Sequence, residues 1–304
     1  MDSRRVLSLA ATAIVIVSLV APTVVAASAT DRGYSETGGT ITGSANNSTE
    51  TVQILVRLEE ARGNSPRELK SHASTTRQPL LEFAKNRESV EVLESFWITN
   101  AVLLRIDTRR IDLSTVAHVK NVERLERNNK VEIANSTLYP AGERKLENTS
   151  TYGLNDINTS DVWERFDTKG DGIKVAVLDT GVNIDHPAID LYTNDSSDPA
   201  YPGGWAEFNS TGGQVSSSKP HDTAWHGTHT SGTIVADSYN GTHVGVAPKA
   251  ELMHGLVLPD GSGSTAQVIA GIQWAVANDA DVISMSLGAN KYESQYIDPI
   301  QNAE

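Results

Sequence analysis

Gly170-Asp171-Gly172-Ile173-Lys174-Val175-Ala176-Val177-Leu178-Asp179-Thr180-Gly181 is the stretch on which the fold turns. A glycine-framed turn opens into the apolar run Ile173–Leu178, and a carboxylate followed by Thr180-Gly181 closes it. A strand with one wet face would alternate apolar and polar residues. A run like this one suits a parallel strand covered on both faces. Downstream, Leu252–Leu258 and Val282–Leu287 are two further apolar runs that bracket a helical segment. There Ser264 can cap the first turn, and Val268, Ile269, Ile272 and Val276 share one stripe. Strand, helix and strand in that order predict a right-handed parallel crossover. Residues 151–304 are therefore expected to be the beginning of an α/β domain with a doubly wound parallel sheet.

Working upstream, residues 135–150 lose all periodicity and gather Pro140, Gly142 and mixed charges, the signature of an exposed linker. Before it, Val52, Ile54, Val56 and Leu58 alternate as a half-buried strand, with Leu55 out of pattern. Ser65-Pro66 starts a helix that Pro79 should break. Apolar runs Val90–Ile98 and Ala101–Ile106, a short helix near Leu113–Val119, and strand candidates Val122–Leu125 and Val131–Ile133 follow. This order predicts a small α+β ferredoxin-like module over 51–134. Residues 30–50 are rich in Gly, Ser, Thr and Asn and read as a flexible connector. Residues 1–29 place Arg4 and Arg5 before an uncharged stretch that ends Ala27-Ser28-Ala29, the pattern of a secretory signal with a partial twin-arginine start. Export to the extracellular space is the expected localisation, and an uncleaved membrane anchor is the alternative.

The 304 residues leave room for one large domain or two modest ones, and a net charge of −13 excludes a general nucleic-acid binder. With no cysteine there is no disulfide framework, thiolate metal site or cysteine nucleophile. The charge is divided unevenly. Residues 1–150 carry 19 basic and 18 acidic side chains, whereas 151–304 carry six and twenty. An acidic, lysine-poor second half fits a surface hydrated for high salt, a calcium-binding surface, or solubility alone.

Asp179 stands at the carboxyl end of a buried parallel strand, where open α/β sheets place their active sites. On that signal alone it serves equally well as a turn or capping residue. His226-Gly227-Thr228-His229-Thr230-Ser231-Gly232-Thr233 sets a histidine at a helix mouth, flanked by glycine, in a setting that suits a general base. His226 and His229, three residues apart, offer a metal-binding alternative that lacks the glutamate of zincins. His221, His243 and His254 are scattered and read as surface or satisfied histidines.

Four segments taken in order resemble the subtilisin-like serine proteases, and among them the secreted halolysin type: VAVLDTG at Val175–Gly181, HGTHTSGT at His226–Thr233, GVAP at Gly245–Pro248 with DGSG at Asp260–Gly263, and SMSLG at Ser284–Gly288. The module at 51–134 is similar to the propeptide inhibitor and chaperone domain of such precursors. The resemblance implies that Asp179 orients and charge-balances the imidazole of His226, the general base. It implies further that Gly261, Ser262 and Gly263 on one side, and Ser286, Leu287 and Gly288 on the other, hold an extended protein or peptide substrate as an added strand. The module would act as an intramolecular inhibitor until the linker is cut during maturation of the zymogen. The expected enzyme is a monomer that needs no cofactor for its chemistry. A structural calcium is expected near Asp237–Val244, with Asp195, Asp198 and Asp222 as alternative ligands. The Gly-Thr-Ser-Met-Ala segment that carries the family's nucleophile does not occur, nor does the oxyanion asparagine. Ser231, Ser284 and Ser286 lie in other motifs. The sequence therefore reads as a precursor that is C-terminally incomplete and inactive as given. A non-catalytic propeptide-type protease inhibitor and a histidine-based metal hydrolase are the competing readings.

Overall fold

Residues 14–17, 40–41, 51–60, 65–133, 149–193, 203–288 and 296–303 are described by the structure, a computed structural model. The leader expected over 1–29 and the connector over 30–50 lie outside them, apart from two short strands, β1 (Ile14–Val17) and β2 (Thr40–Ile41). Most of the linker expected over 135–150 also lies outside, as do Asp195 and Asp198.

The first module runs β3 (Thr51–Leu58), α1 (Pro66–Thr76), α2 (Gln78–Lys85), β4 (Val90–Phe96), β5 (Ala101–Asp107), α3 (Leu113–Ala117) and β6 (Val122–Arg127). Its sheet is ordered β2-β6-β3-β5-β4, and the last four strands are antiparallel neighbours. Ser65 caps α1 by accepting the Glu68 N–H at 3.3 Å, and Pro66 takes the first turn, where no N–H is needed. The helix breaks at Arg77, two residues ahead of Pro79, because proline both lacks a donor and crowds the residues before it.

Two expectations need correction. β3 is not half-buried. It is covered on both faces from Ile54 to Leu58, with Leu55 and even Arg57 buried. The residues out of the alternating pattern are the ones that meet the second half of the chain. The candidate strand at Val131–Ile133 forms as β7 (Lys130–Ile133), but it leaves the module's sheet and pairs with strands of the second half.

That second half opens with α4 (Tyr152–Asp156) and α5 (Thr159–Phe166) and continues through β8 (Lys174–Asp179), β9 (Trp205–Glu207), α6 (His226–Val235) and β10 (Glu251–Leu256). It then runs through β11 (Ser262–Ser264), α7 (Thr265–Ala277), β12 (Val282–Met285), β13 (Leu287–Gly288) and α8 (Ile297–Gln301). The main sheet is parallel throughout in the order β1-β12-β8-β10-β9, with β8 central. Ala176 and Leu178 pack with Val268, Ile269 and Ile272 of α7 on one face, while Val177 packs with Val235 and Ala236 at the end of α6 on the other. This is the doubly wound arrangement that the apolar run of β8 requires. Ser264 and Gln267 form a reciprocal capping box at the start of α7. The single stripe expected on α7 is too narrow, because every residue from Thr265 to Ile272 is buried. The reason is a second partner: Leu55, Phe96, Ile98 and Leu103 of the first module join the same core. An α-helix covered all round must be apolar all round.

Candidate active site

β8 ends with Asp179, completely buried, and α6 begins with His226. His226 Nδ1 and Asp179 Oδ1 are 2.7 Å apart. Asp179 Oδ1 also accepts the Thr180 N–H at 2.7 Å, and its Oδ2 accepts the Thr230 hydroxyl at 3.2 Å. A carboxylate held by two donors besides the ring is fixed in direction, so it dictates the tautomer of its partner. The hydrogen bond with Asp179 raises the His226 pKa above its ordinary value; partial burial opposes the shift, and the charges of Asp179 and Asp222 add to it. Among the described residues nothing hydrogen-bonds to Nε2, which leaves that nitrogen to accept a proton from a reactant.

Around the pair lies scaffolding that the sequence reading missed. Asp222 accepts from the Thr180 hydroxyl at 2.8 Å, the Ala224 N–H at 3.0 Å, the Thr228 N–H at 2.8 Å and the Thr228 hydroxyl. Burial would raise its pKa, but these donors together outweigh burial and hold it below the ordinary carboxylate value. Thr180 Oγ1 in turn accepts the Gly227 N–H at 2.8 Å. The turn after β8 and the first turn of α6 are thus stitched together by side chains on each. Trp225, just before His226, adopts left-handed backbone with φ of 55° and lies edge-on to both His226 and His229.

Of the six residues expected to border a substrate, five lie along β7, the last strand of the first half. β7 runs antiparallel between β11 and β13, pairing Gly263 with Val131, Ser262 with Glu132, Leu287 with Ile133 and Gly288 with Glu132. Gly261 lies against Ile133, since a side chain added there would meet Ile133 Cδ1 at 3.6 Å. Ser286 falls between β12 and β13. Val131 is buried, whereas Lys130 and Glu132 point outward and pair with each other at 2.6 Å. Gly263 is obligatory, because a Cβ would sit 2.2 Å from Val257 O. The border loop is tied to the pair by Thr223 Oγ1, which donates to Thr180 O at 2.9 Å and accepts the Asp260 N–H at 2.9 Å.

Of the residues expected as metal ligands, Asp195 and Asp198 lie outside the described residues. Among the described residues no group of three or more His, Asp or Glu is placed to hold an ion. His226 is turned to Asp179, whereas His229 lines a separate cavity of about 710 Å³ with Asn183, His186, Trp225 and Tyr239. In the loop expected to bind calcium, Tyr239 and Thr242 bond each other's backbone in a tight turn, and Asp237 takes the Ser238 N–H. Asp222 is already satisfied by four donors.

Comparison with known proteins bears on this geometry. Residues 170–303 match the model of the subtilase family, Peptidase_S8. The thermostable alkaline protease of Halalkalibacterium halodurans is 32% identical over 209 residues, covering 67% of this chain and 48% of that protein. The minor extracellular protease Vpr of Bacillus subtilis is 42% identical over 134 residues, 43% of this chain and 16% of that protein. The chain thus spans less than half the length of these relatives. Among solved structures, fervidolysin from Fervidobacterium pennivorans, a keratinolytic enzyme related to subtilisin, aligns over 88% of this chain and 40% of its own with a TM-score of 0.57 and 20% identity, a likeness of fold.

Proposed function

We propose that this chain, a subtilase over residues 170–303, belongs to the precursor of an exported serine endopeptidase of halolysin type that hydrolyses proteins or peptides. The observation that carries the reading is the 2.7 Å contact between buried Asp179 and His226 at the mouth of the parallel sheet. In this mechanism His226 Nε2 takes the proton of a serine hydroxyl as that oxygen attacks the peptide carbonyl, then returns it to the leaving amine. Asp179 keeps the Nδ1–H tautomer and stabilises the imidazolium between the two transfers. Among the described residues no serine hydroxyl is hydrogen-bonded to His226 Nε2, so the nucleophile is the part of this mechanism that the described site does not supply.

The module at 51–134 works in this reading as an intramolecular inhibitor, with β7 occupying the groove as a substrate does. Its strand pairing along both borders supports that role. Cleavage in the linker at 135–150 then frees the groove. Export is supported by the charge and small-residue pattern of 1–29.

The test is hydrolysis of a casein or peptide substrate by a protein that carries these residues together with a nucleophilic serine. His226→Ala and Asp179→Asn should each lower kcat/KM by about 10⁴-fold or more. Undiminished hydrolysis by either variant would end the proposal.

A further inference from the structure

β10 turns His254 to the α6 face of the sheet, between Leu252 and Leu256, and leaves the ring wholly buried behind Asp179. Its Nε2 accepts the Gly181 N–H at 3.2 Å, and its Nδ1 is 3.0 Å from Ser231 Oγ. A nitrogen that accepts a backbone N–H carries no proton, so the neutral ring is protonated on Nδ1 and Ser231 Oγ accepts. The ring edge lies against the helix backbone at Gly227, where an added Cβ would come within 3.0 Å of His254 Cε1 and 2.1 Å of Gly181 O. Trp205 of β9 stacks beside it at 6.2 Å and 22°. One imidazole therefore touches both carriers of the pair: Gly181, two residues past Asp179, and Gly227 and Ser231, one and five residues past His226.

A serine and a histidine 3.0 Å apart have the composition of a nucleophile and its base. Here both are completely buried and the second ring nitrogen is already occupied, so no substrate can reach them. We propose that His254 is a positioning residue, a neutral spacer that holds the turn after β8 and the first turns of α6 in the relation that sets the Asp179–His226 hydrogen bond. An aliphatic residue would fill the space but leave the buried Gly181 N–H without an acceptor. A second proton would sit on Nε2 and face that N–H. Burial lowers the pKa of His254 to about 4, against the pull of Asp179 from β8 and Asp222 from the loop before α6. Ser231 faces it from α6 and Trp205 from β9, and His221 lies 5.7 Å from the same indole. The inference rests on the reading of Asp179 and His226 as a proton relay.

The experiment is histidine-labelled NMR of the full 304-residue chain, comparing wild type with His254→Leu, His254→Gln and Ser231→Ala. In wild type, His254 should show the Nδ1–H tautomer down to about pH 5. His226 should titrate above 6.5 with a protected Nδ1–H. His254→Leu should move the His226 pKa down by about half a unit or more and speed exchange of its Nδ1–H at least about tenfold. His254→Gln, which keeps an acceptor, should restore most of the shift. Ser231→Ala, which leaves the core volume nearly unchanged, should produce a smaller change of the same sign, and it decides the matter if the leucine variant does not fold. An Nε2–H tautomer, or an unmoved His226 in all the folded variants, overturns the role of His254 alone. A wild-type His226 that titrates at or below 6.5 without a protected proton removes the relay reading, and this proposal with it.

Discussion

Two histidines within one site are pushed in opposite directions, and the sign of each has a consequence for stability. His226 gains a carboxylate partner and its pKa rises, so its contribution to folding is complete below the unfolded value near 6.5 and fades as pH climbs through the raised folded value. His254 is lowered to about 4 by burial, so it costs nothing above pH 6.5 and drains stability as pH falls from there toward 4. A difference of that size corresponds to roughly 3 kcal/mol across the window. Urea unfolding between pH 7 and 4 should show His254→Leu to be less stable at neutral pH, yet with a flatter decline on acidification; a slope equal to wild type would contradict the assignment. Asp179 and His226 were singled out in sequence by the resemblance of their motifs to those of a family, and the structure brings them to 2.7 Å. His254 was not, because a histidine in an apolar strand gives no sign of whether its two nitrogens find partners. Its place between Leu252 and Leu256, on one face of a parallel strand, was the only clue.

Elements were legible where period and punctuation agree. Ser264 marked the start of α7, Ser65-Pro66 started α1, and β8 announced itself by length and composition. Misreadings arose where one element serves two layers. Alternation in β3 predicted a wet face, but Leu55 on that face meets α7, and the seam is closed by Gln273 Oε1 accepting the Trp97 N–H at 2.7 Å and by Asn128 Oδ1 accepting the Ala266 N–H at 3.0 Å at the helix start. No local pattern can report a partner that lies two hundred residues away. β7 is the sharpest case, a strand whose neighbours β11 and β13 are both remote in sequence. Its main apolar anchor in the groove is buried Val131, with Ile133 packed half-buried against the same core, whereas Lys130 and Glu132 face water. Val131→Asp should strip the anchor at a cost of about 2 kcal/mol or more. Hydrogen exchange of the β7 amides should then accelerate while β8 and β10 stay protected; unchanged β7 protection would show that backbone pairing alone suffices. The proposed role of His226 as general base carries a rate prediction: kcat/KM should rise with pH through an apparent pKa above 6.5, and an inflection below that value would mean Asp179 does not raise the base.

At the scale of the whole molecule, charge is handled in two ways at once. The second half carries twenty acidic side chains against six basic, while the seam with the first module buries a compensated network. Arg57, 2% exposed, binds Glu126 at 3.0 Å, Asp298 at 3.3 Å and the Thr99 carbonyl at 3.3 Å, and Arg124 reaches Glu126 at 2.9 Å and Asp298 at 3.4 Å. Three of the four side chains come from β3 and β6, and Asp298 comes from α8, so the network ties the module to the end of the second half. Salt acts on the two kinds of charge differently. Repulsion among exposed carboxylates is screened within a Debye length of about 8–10 Å at moderate ionic strength, whereas a pair excluded from water is screened little. Raising KCl from 0.1 to 2 M should therefore raise the Tm of the chain. Arg57→Met, which leaves Glu126 and Asp298 short of a partner, should cost about 3–5 kcal/mol at both salt concentrations. If salt erased that loss, the network would be surface-like in its energetics. If salt left Tm unmoved, the acidic surface would have no part in tolerance of high salt.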